Sequence, residues 1–92
     1  MLESAIQKKV IKYLKSMGCK VINLKVASQS GNADLIICYK GEYIEMEMKQ
    51  PGKHATKLQI VKGKETTEAG GKWFCIHSVE EAEEALSTMG YE

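Results

Sequence analysis

The strongest constraint on the fold is a strictly alternating segment that follows a two-residue turn signal. Residues 42–49 read EYIEMEMK, so Ile44, Met46 and Met48 fall on one face of an extended strand. The other face carries Tyr43, Glu45, Glu47 and Lys49. The short apolar run DLIICY, residues 34–39, comes just before, with Lys40-Gly41 between the two segments. Together they predict an antiparallel hairpin with a tight loop.

The hairpin register brings two acidic side chains together. A two-residue loop pairs Tyr39 with Glu42, and the same ladder continued places Asp34 opposite Glu47. Cross-strand partners share a face, with Cβ atoms about 4.5–5.5 Å apart, and opposed like charges destabilise a sheet. We therefore expect a compensating cation, either the Lys49 ammonium on the same face or a hard divalent metal such as Mg²⁺ or Mn²⁺. An alternating E-x-K segment alone is more typical of a solvated strand face.

The other segments complete a mixed α/β pattern. Apolar residues at helical spacing predict a first helix over residues 2–17, ended by Gly18. The remaining predicted elements are a strand over 19–26, a loop over 27–33, a helix from a Thr56 cap to about Ala69, a strand over 72–77, and a last helix that starts at a Ser78/Glu81 capping box. The predicted order is α-β-β-β-α-β-α.

Composition limits the class of protein. The chain of 92 residues is expected to form a single domain, 1–92, and its 43% hydrophobic and 27% charged residues are typical of a globular protein. It contains no apolar run of about 20 residues and no signal-peptide pattern, so we expect no membrane partner. Its three cysteines are odd in number and widely spaced, which indicates a reducing compartment. We expect a cytoplasmic protein, in the host cytoplasm if a phage encodes it.

Charge is distributed unevenly along the chain. Residues 1–78 hold 13 lysines against 7 acidic residues, whereas residues 79–92 hold five glutamates and no basic residue. A basic body suits a phosphate backbone, because lysines displace condensed counterions on binding. The same lysines are also compatible with an ordinary solvated surface.

The pattern of elements and acidic residues resembles that of a known family. The element order, with Asp34 and the E-x-K of Glu47 and Lys49 on adjacent strands, resembles the PD-(D/E)xK nuclease core, and its details resemble the VRR-NUC branch. The matching segments are LESAIQKKVIKYLKSMG, GNADLI, IEMEMKQPGKHATKLQ and GGKWFCIHSVEEAEEAL. Ala33 stands where the family usually has proline. The resemblance implies a restriction-endonuclease-like α/β core with a mixed central sheet flanked by helices.

The resemblance also implies roles for individual residues. Asp34, Glu47 and the backbone carbonyl of Met48 would bind Mg²⁺ or Mn²⁺, and Glu3 is a candidate for a second metal site. Lys49 would orient or polarise the attacking water, and Gln59 would support that lysine. The implied activity is that of a metal-dependent endonuclease that hydrolyses DNA, without an organic cofactor.

The DNA partner is expected to be branched. Lys8, Lys12, Lys53 and Lys57 are the expected phosphate contacts, and such contacts carry little sequence information. Small relatives of this kind are often Holliday-junction resolvases that act as homodimers, so we expect a structure-selective homodimer. The alternatives are a non-catalytic nucleic-acid-binding module and a small phage accessory protein. Glu45 is predicted to be a surface or ion-pair residue and His54 to be solvated, and His77 receives no predicted role.

Overall fold

The computed structural model describes residues 2–24 and 33–89. Its elements in chain order are α1 (Glu3–Ser16), β1 (Lys20–Asn23), β2 (Leu35–Tyr39), β3 (Glu42–Met48), α2 (Lys57–Glu68), β4 (Lys72–Ile76) and α3 (Val79–Ser87). The predicted order and fold class are confirmed. Part of the first predicted strand and most of the loop predicted after it, residues 25–32, lie outside the described residues.

The four strands form one mixed sheet in the order β1-β2-β3-β4. The first two pairings are antiparallel, and β4 adds in parallel to β3. Lys40 and Gly41 both have positive φ, at 50° and 83°, as a two-residue type I′ hairpin loop requires. The predicted register is confirmed from Tyr39↔Glu42 to Leu35↔Met46. The ladder therefore keeps the two faces of β3 distinct.

The hydrophobic core lies on the face of the sheet that α1 and α3 cover. Ile44, Met46 and Met48 of β3 are fully buried there. The helices contribute small and branched apolar side chains at helical spacing: Ile6, Val10, Leu14, Ala82, Ala85 and Leu86. This arrangement follows from the sequence, because an apolar strand face must be covered by apolar helix faces.

Helix α2 lies on the opposite face and packs by a close backbone approach. Among its described residues only Gly63 is buried. A Cβ atom at Gly63 would lie 2.5 Å from Cδ2 of Trp73 on β4, so glycine is what allows the helix backbone to rest on the indole ring. Thr56 caps the helix, as predicted, and it forms a capping box with Gln59.

Two local predictions need correction. Asp34 lies one residue before β2 instead of opening the strand. The Ser78 hydroxyl does accept the N–H of Glu81, at 3.1 Å, but the Glu81 carboxylate accepts the N–H of His77 instead of completing the capping box at Ser78. The reason is local, because the same carboxylate oxygen also contacts the His77 ring.

Across 2–24 and 33–89, no helix has the length and apolar character needed to cross a membrane.

Candidate active site

Asp34 is fixed by its own backbone and side chain at the open end of the hairpin. Its carbonyl accepts the N–H of Leu24 at 2.8 Å. Its Oδ2 accepts the N–H of Met48 at 2.8 Å, just beyond the last strand pair, Leu35↔Met46. The carboxylate is thus attached to the strand that carries Glu47, at the position after it.

Glu47 is a buried carboxylate that lacks full pairing. Its side chain is 4% exposed, and Oε2 accepts a 2.9 Å hydrogen bond from Nε2 of Gln59. Oε1 is buried and has no hydrogen-bond partner in the described part of the chain. Burial, followed by the negative charge of Asp34, raises the pKa of Glu47 to about 8. Such a group requires either a proton or a cation beside it.

Lys49 supplies part of that positive charge. Its backbone N–H donates to the carbonyl of Ile76 at 3.0 Å, which continues the β3–β4 pairing one step past the strand. Its side chain is half-buried, and its charge opposes the rise in the pKa of Glu47. The structure therefore brings Asp34, Glu47 and Lys49 together at one end of the sheet.

Cys75 is a neighbour of the site that the sequence reasoning missed. It pairs with Glu47 across β3 and β4, so the two side chains share a face. Burial, and then the charge of Glu47, raises the pKa of the Cys75 thiol. The missing information was the parallel pairing of β4 with β3.

Glu3 lies near the pair without completing a cluster. It shares a cavity of about 240 Å³ with Asp34 and Lys8, and its charge contributes to the raised pKa of Glu47. Within residues 2–24 and 33–89, no group of three or more His, Cys, Asp or Glu side chains is arranged to hold a metal. A metal-binding role for Glu3 remains a prediction.

The predicted DNA-contacting lysines are exposed, and Lys8 lines a cavity with Asp34. Lys8 and Lys12 are exposed on α1, and Lys53 and Lys57 are exposed in and after the loop that follows β3. Their contacts with DNA remain predictions.

Glu45 has a structural role instead of the predicted surface or ion-pair role. Its carboxylate accepts hydrogen bonds from the Tyr43 hydroxyl and, at 2.7 Å, from the Thr66 hydroxyl of α2. Burial and then the bond to Glu45 raise the pKa of Tyr43 to about 12. Glu45 thus attaches the end of α2 to the sheet. His54 is exposed, as predicted.

The donor atoms fit a hard divalent ion. The carboxylates of Asp34 and Glu47 and the carbonyl of Met48 are all oxygen ligands, the type that Mg²⁺ and Mn²⁺ prefer. The unpartnered Oε1 of Glu47 has unused capacity to bind one. Mg²⁺ keeps several waters and takes few protein carboxylates, which suits a site with two.

Comparisons with known proteins agree with this geometry at the level of the fold. No protein-family model and no curated protein matches the sequence. A solved structure described as a VRR_NUC domain is similar, with a TM-score of 0.78 and 20% identity, over 92% of this chain and 94% of that one. The chain therefore has the same fold as this VRR_NUC domain.

Proposed function

We propose that the protein is a metal-dependent endonuclease that hydrolyses DNA phosphodiester bonds with Mg²⁺ or Mn²⁺. The observation that carries this proposal is the buried, unpartnered carboxylate oxygen of Glu47 beside Asp34. A protein that only binds DNA has no need to bury one carboxylate next to another. The nuclease-type fold supports the same conclusion.

Different residues of the chain have different proposed roles in the reaction. Asp34, Glu47 and the Met48 carbonyl would hold the ion, and Glu3, which lines a cavity with Asp34, would serve a second one. When bound, a divalent ion polarises the phosphate and lowers the pKa of a water. Lys49 would orient the attacking water and add positive charge where the transition state gathers negative charge. Gln59, which was predicted to support Lys49, instead donates its hydrogen bond to Glu47, and we propose that it orients this carboxylate.

The DNA backbone would reach this site across the lysine-bearing surface. Lys8 lines the same cavity as Asp34, which supports a phosphate contact near this candidate metal ligand. Lys12, Lys53 and Lys57 extend the positive surface on the two flanking elements. Binding should therefore weaken steeply with salt, because each phosphate contact releases counterions.

We further propose a homodimer that selects branched DNA. Phosphate contacts read backbone geometry and not base sequence. A four-way junction has symmetric scissile strands, which a two-fold dimer would match. Helix α2 leaves Leu58, Ile60 and Val61 exposed, and this apolar surface favours association with a second copy.

Cleavage of a defined DNA panel tests the enzyme. Purified protein with Mn²⁺ or Mg²⁺ should cut linear, flapped or four-way DNA, and EDTA should stop the reaction. Glu47→Gln should abolish cutting. Glu45→Gln is the matched control, because it makes the same change on the same strand face, two residues away, at a position with no metal role.

Separate measurements of DNA binding and of oligomeric state show which part of the proposal fails. Glu47→Gln and Asp34→Asn should still bind the panel in Ca²⁺ or without metal. Metal-loaded protein that binds every substrate and cuts none would contradict the nuclease and favour a binding module. Light scattering during size-exclusion chromatography should give a dimer mass, and Val61→Lys should shift it towards a monomer.

A further inference from the structure

The His77 ring bridges two parts of the chain that flank the candidate active site. Its Nε2 lies 2.7 Å from the carbonyl oxygen of Lys53, and its Nδ1 lies 2.8 Å from Oε1 of Glu81. The backbone N–H of His77 donates to the same Glu81 oxygen at 2.8 Å. A ring with both nitrogens engaged cannot rotate freely, so the ring ties the loop at Lys53 to the start of α3.

Both ring partners are hydrogen-bond acceptors. A carbonyl and a carboxylate can be satisfied together only when both ring nitrogens carry a proton, because a neutral imidazole has one N–H. In agreement, the bond to Glu81 and then the bond to the Lys53 carbonyl raise the pKa of His77. The bridge is therefore complete in the imidazolium form and loses one bond in the neutral form.

The bridged loop connects Lys49, whose charge acts on Glu47, to Gln59, which donates a hydrogen bond to Glu47. It begins after Lys49 with a turn in which the N–H of Lys53 donates to the carbonyl of Gln50 at 3.0 Å. It ends at the Thr56 cap, three residues before Gln59. Lys53 is thus a fixed point between the end of β3 and the start of α2.

The other charged groups near the ring belong to three elements. His77 lines a cavity of about 370 Å³ with Lys9 of α1, Glu80 of α3 and Pro51 of the loop. Glu81 makes direct contact, and Lys53 presents its carbonyl. Among these groups Glu81 favours the imidazolium form, and burial of the ring opposes it.

We propose that His77 is a positioning residue that holds the loop between Lys49 and Gln59 against α3 and so keeps both residues aligned with Glu47. The proposal rests on the proposed nuclease function. His77 touches neither DNA nor metal in this role. It acts through the backbone of Lys53.

The test combines a structural and a catalytic measurement. His77→Ala should speed hydrogen–deuterium exchange of residues 50–56 and lower kcat/KM with Mn²⁺ about tenfold at pH 6, the size expected for loss of a charge-assisted hydrogen bond. His77→Arg keeps two donors for the two acceptors and should restore both values. His54→Ala is the matched control and should change neither, because His54 is an exposed histidine of the same loop.

The pH dependence separates positioning from simple destabilisation. Towards pH 9 the wild-type ring loses a proton and one bond, so the ratio of wild-type to His77→Ala activity should shrink. The Arg variant should exceed wild type there. Equal exchange in wild type and His77→Ala, or a constant activity ratio across pH, would overturn the proposal.

The exchange measurement also separates this proposal from the nuclease itself. If the wild-type protein cuts no DNA but the loop still exchanges faster in His77→Ala, the result would support the bridge and refute the enzyme. If His77→Ala does not fold, His77→Gln takes its place. It retains one donor group, and its loop should exchange faster than that of wild type.

Discussion

The Gln59 side chain joins the cap of α2 to Glu47. Its Oε1 accepts the N–H of Thr56 at 2.8 Å, while its Nε2 donates to Oε2 of Glu47 at 2.9 Å. A single amide therefore completes the start of a helix and orients a candidate metal ligand.

Replacement of Gln59 should lower both stability and activity. Gln59→Ala removes half of the capping box and one bond to a buried carboxylate, so we expect the free energy of unfolding to fall by about 1–2 kcal/mol. Cleavage should fall at least about tenfold, because Glu47 loses its orientation. Urea unfolding and initial cleavage rates measure the two effects. Thr56→Ala is the control, since it removes the cap hydroxyl and leaves the bond between Gln59 and Glu47. Equal losses of activity in both variants would contradict the orienting role.

The stability of the metal-free protein should fall as the pH rises from about 5 to 9. The pKa of Glu47 is raised from 4.5 to about 8 on folding, so the folded state binds more protons between these values. The resulting stabilisation is complete below pH 4.5 and is lost as the pH rises through about 8. A loss of about 1 kcal/mol lowers the Tm of a domain this size by about 4–8 °C. Calorimetry in EDTA should show the decline.

Metal should reverse that decline. Mn²⁺ or Mg²⁺ binds the ionised carboxylate and stabilises the folded state by mass action, so the added stability should grow with pH. Glu47→Gln should flatten the pH profile and abolish the metal effect. A metal effect of equal size in Glu47→Gln would place the ion elsewhere.

Asp34→Asn should lower the pKa of Glu47 while abolishing cleavage. Asp34 is the largest charge contribution to the raised pKa, after burial. Its removal should make the metal-free protein more stable than wild type near pH 8, although the ion loses a ligand. Carboxyl carbon NMR titration reports the pKa directly. Glu3→Gln is the control and should shift the pKa less, since Glu3 makes the smallest contribution among those identified.

Gly63→Ala should destabilise the packing of α2 on the sheet. The added Cβ would lie 2.5 Å from the Trp73 ring, and overpacking of this kind costs about 1–3 kcal/mol. An exposed glycine in a helix would instead gain up to about 1 kcal/mol on the same change. Trp73 is the only tryptophan of the chain, so its fluorescence during urea unfolding reports the effect at the site of the change. Lys64→Ala, an exposed neighbour on α2, should leave stability nearly unchanged.

The hairpin was predictable because local rules determine it. A two-residue loop and a period of two allow one register, and this register places Asp34 beside the strand of Glu47. The choice of Glu47 and not Glu45 as the ligand depended on the same register, since Glu45 pairs with Ile36. Local signals therefore located the candidate site.

The supporting contacts were not predictable in this way. Cys75 reaches Glu47 through the parallel pairing of β4, and Glu45 meets Thr66 of α2 across 21 positions of sequence. His77 meets Lys53 across 24 positions. Contacts of this kind depend on how distant elements pack, which no local periodicity specifies. The failure at the Ser78 capping box arose because His77 competes for the Glu81 carboxylate.

The attachment of α2 to the sheet has a consequence for mutagenesis. Glu47 and Glu45 each bind one end of the helix, through Gln59 and Thr66. Truncation of either glutamate to alanine would undock the helix as well as remove a charge. An alanine scan of β3 would therefore overstate the catalytic weight of both positions, whereas isosteric amides, which keep an acceptor oxygen, separate chemistry from scaffold.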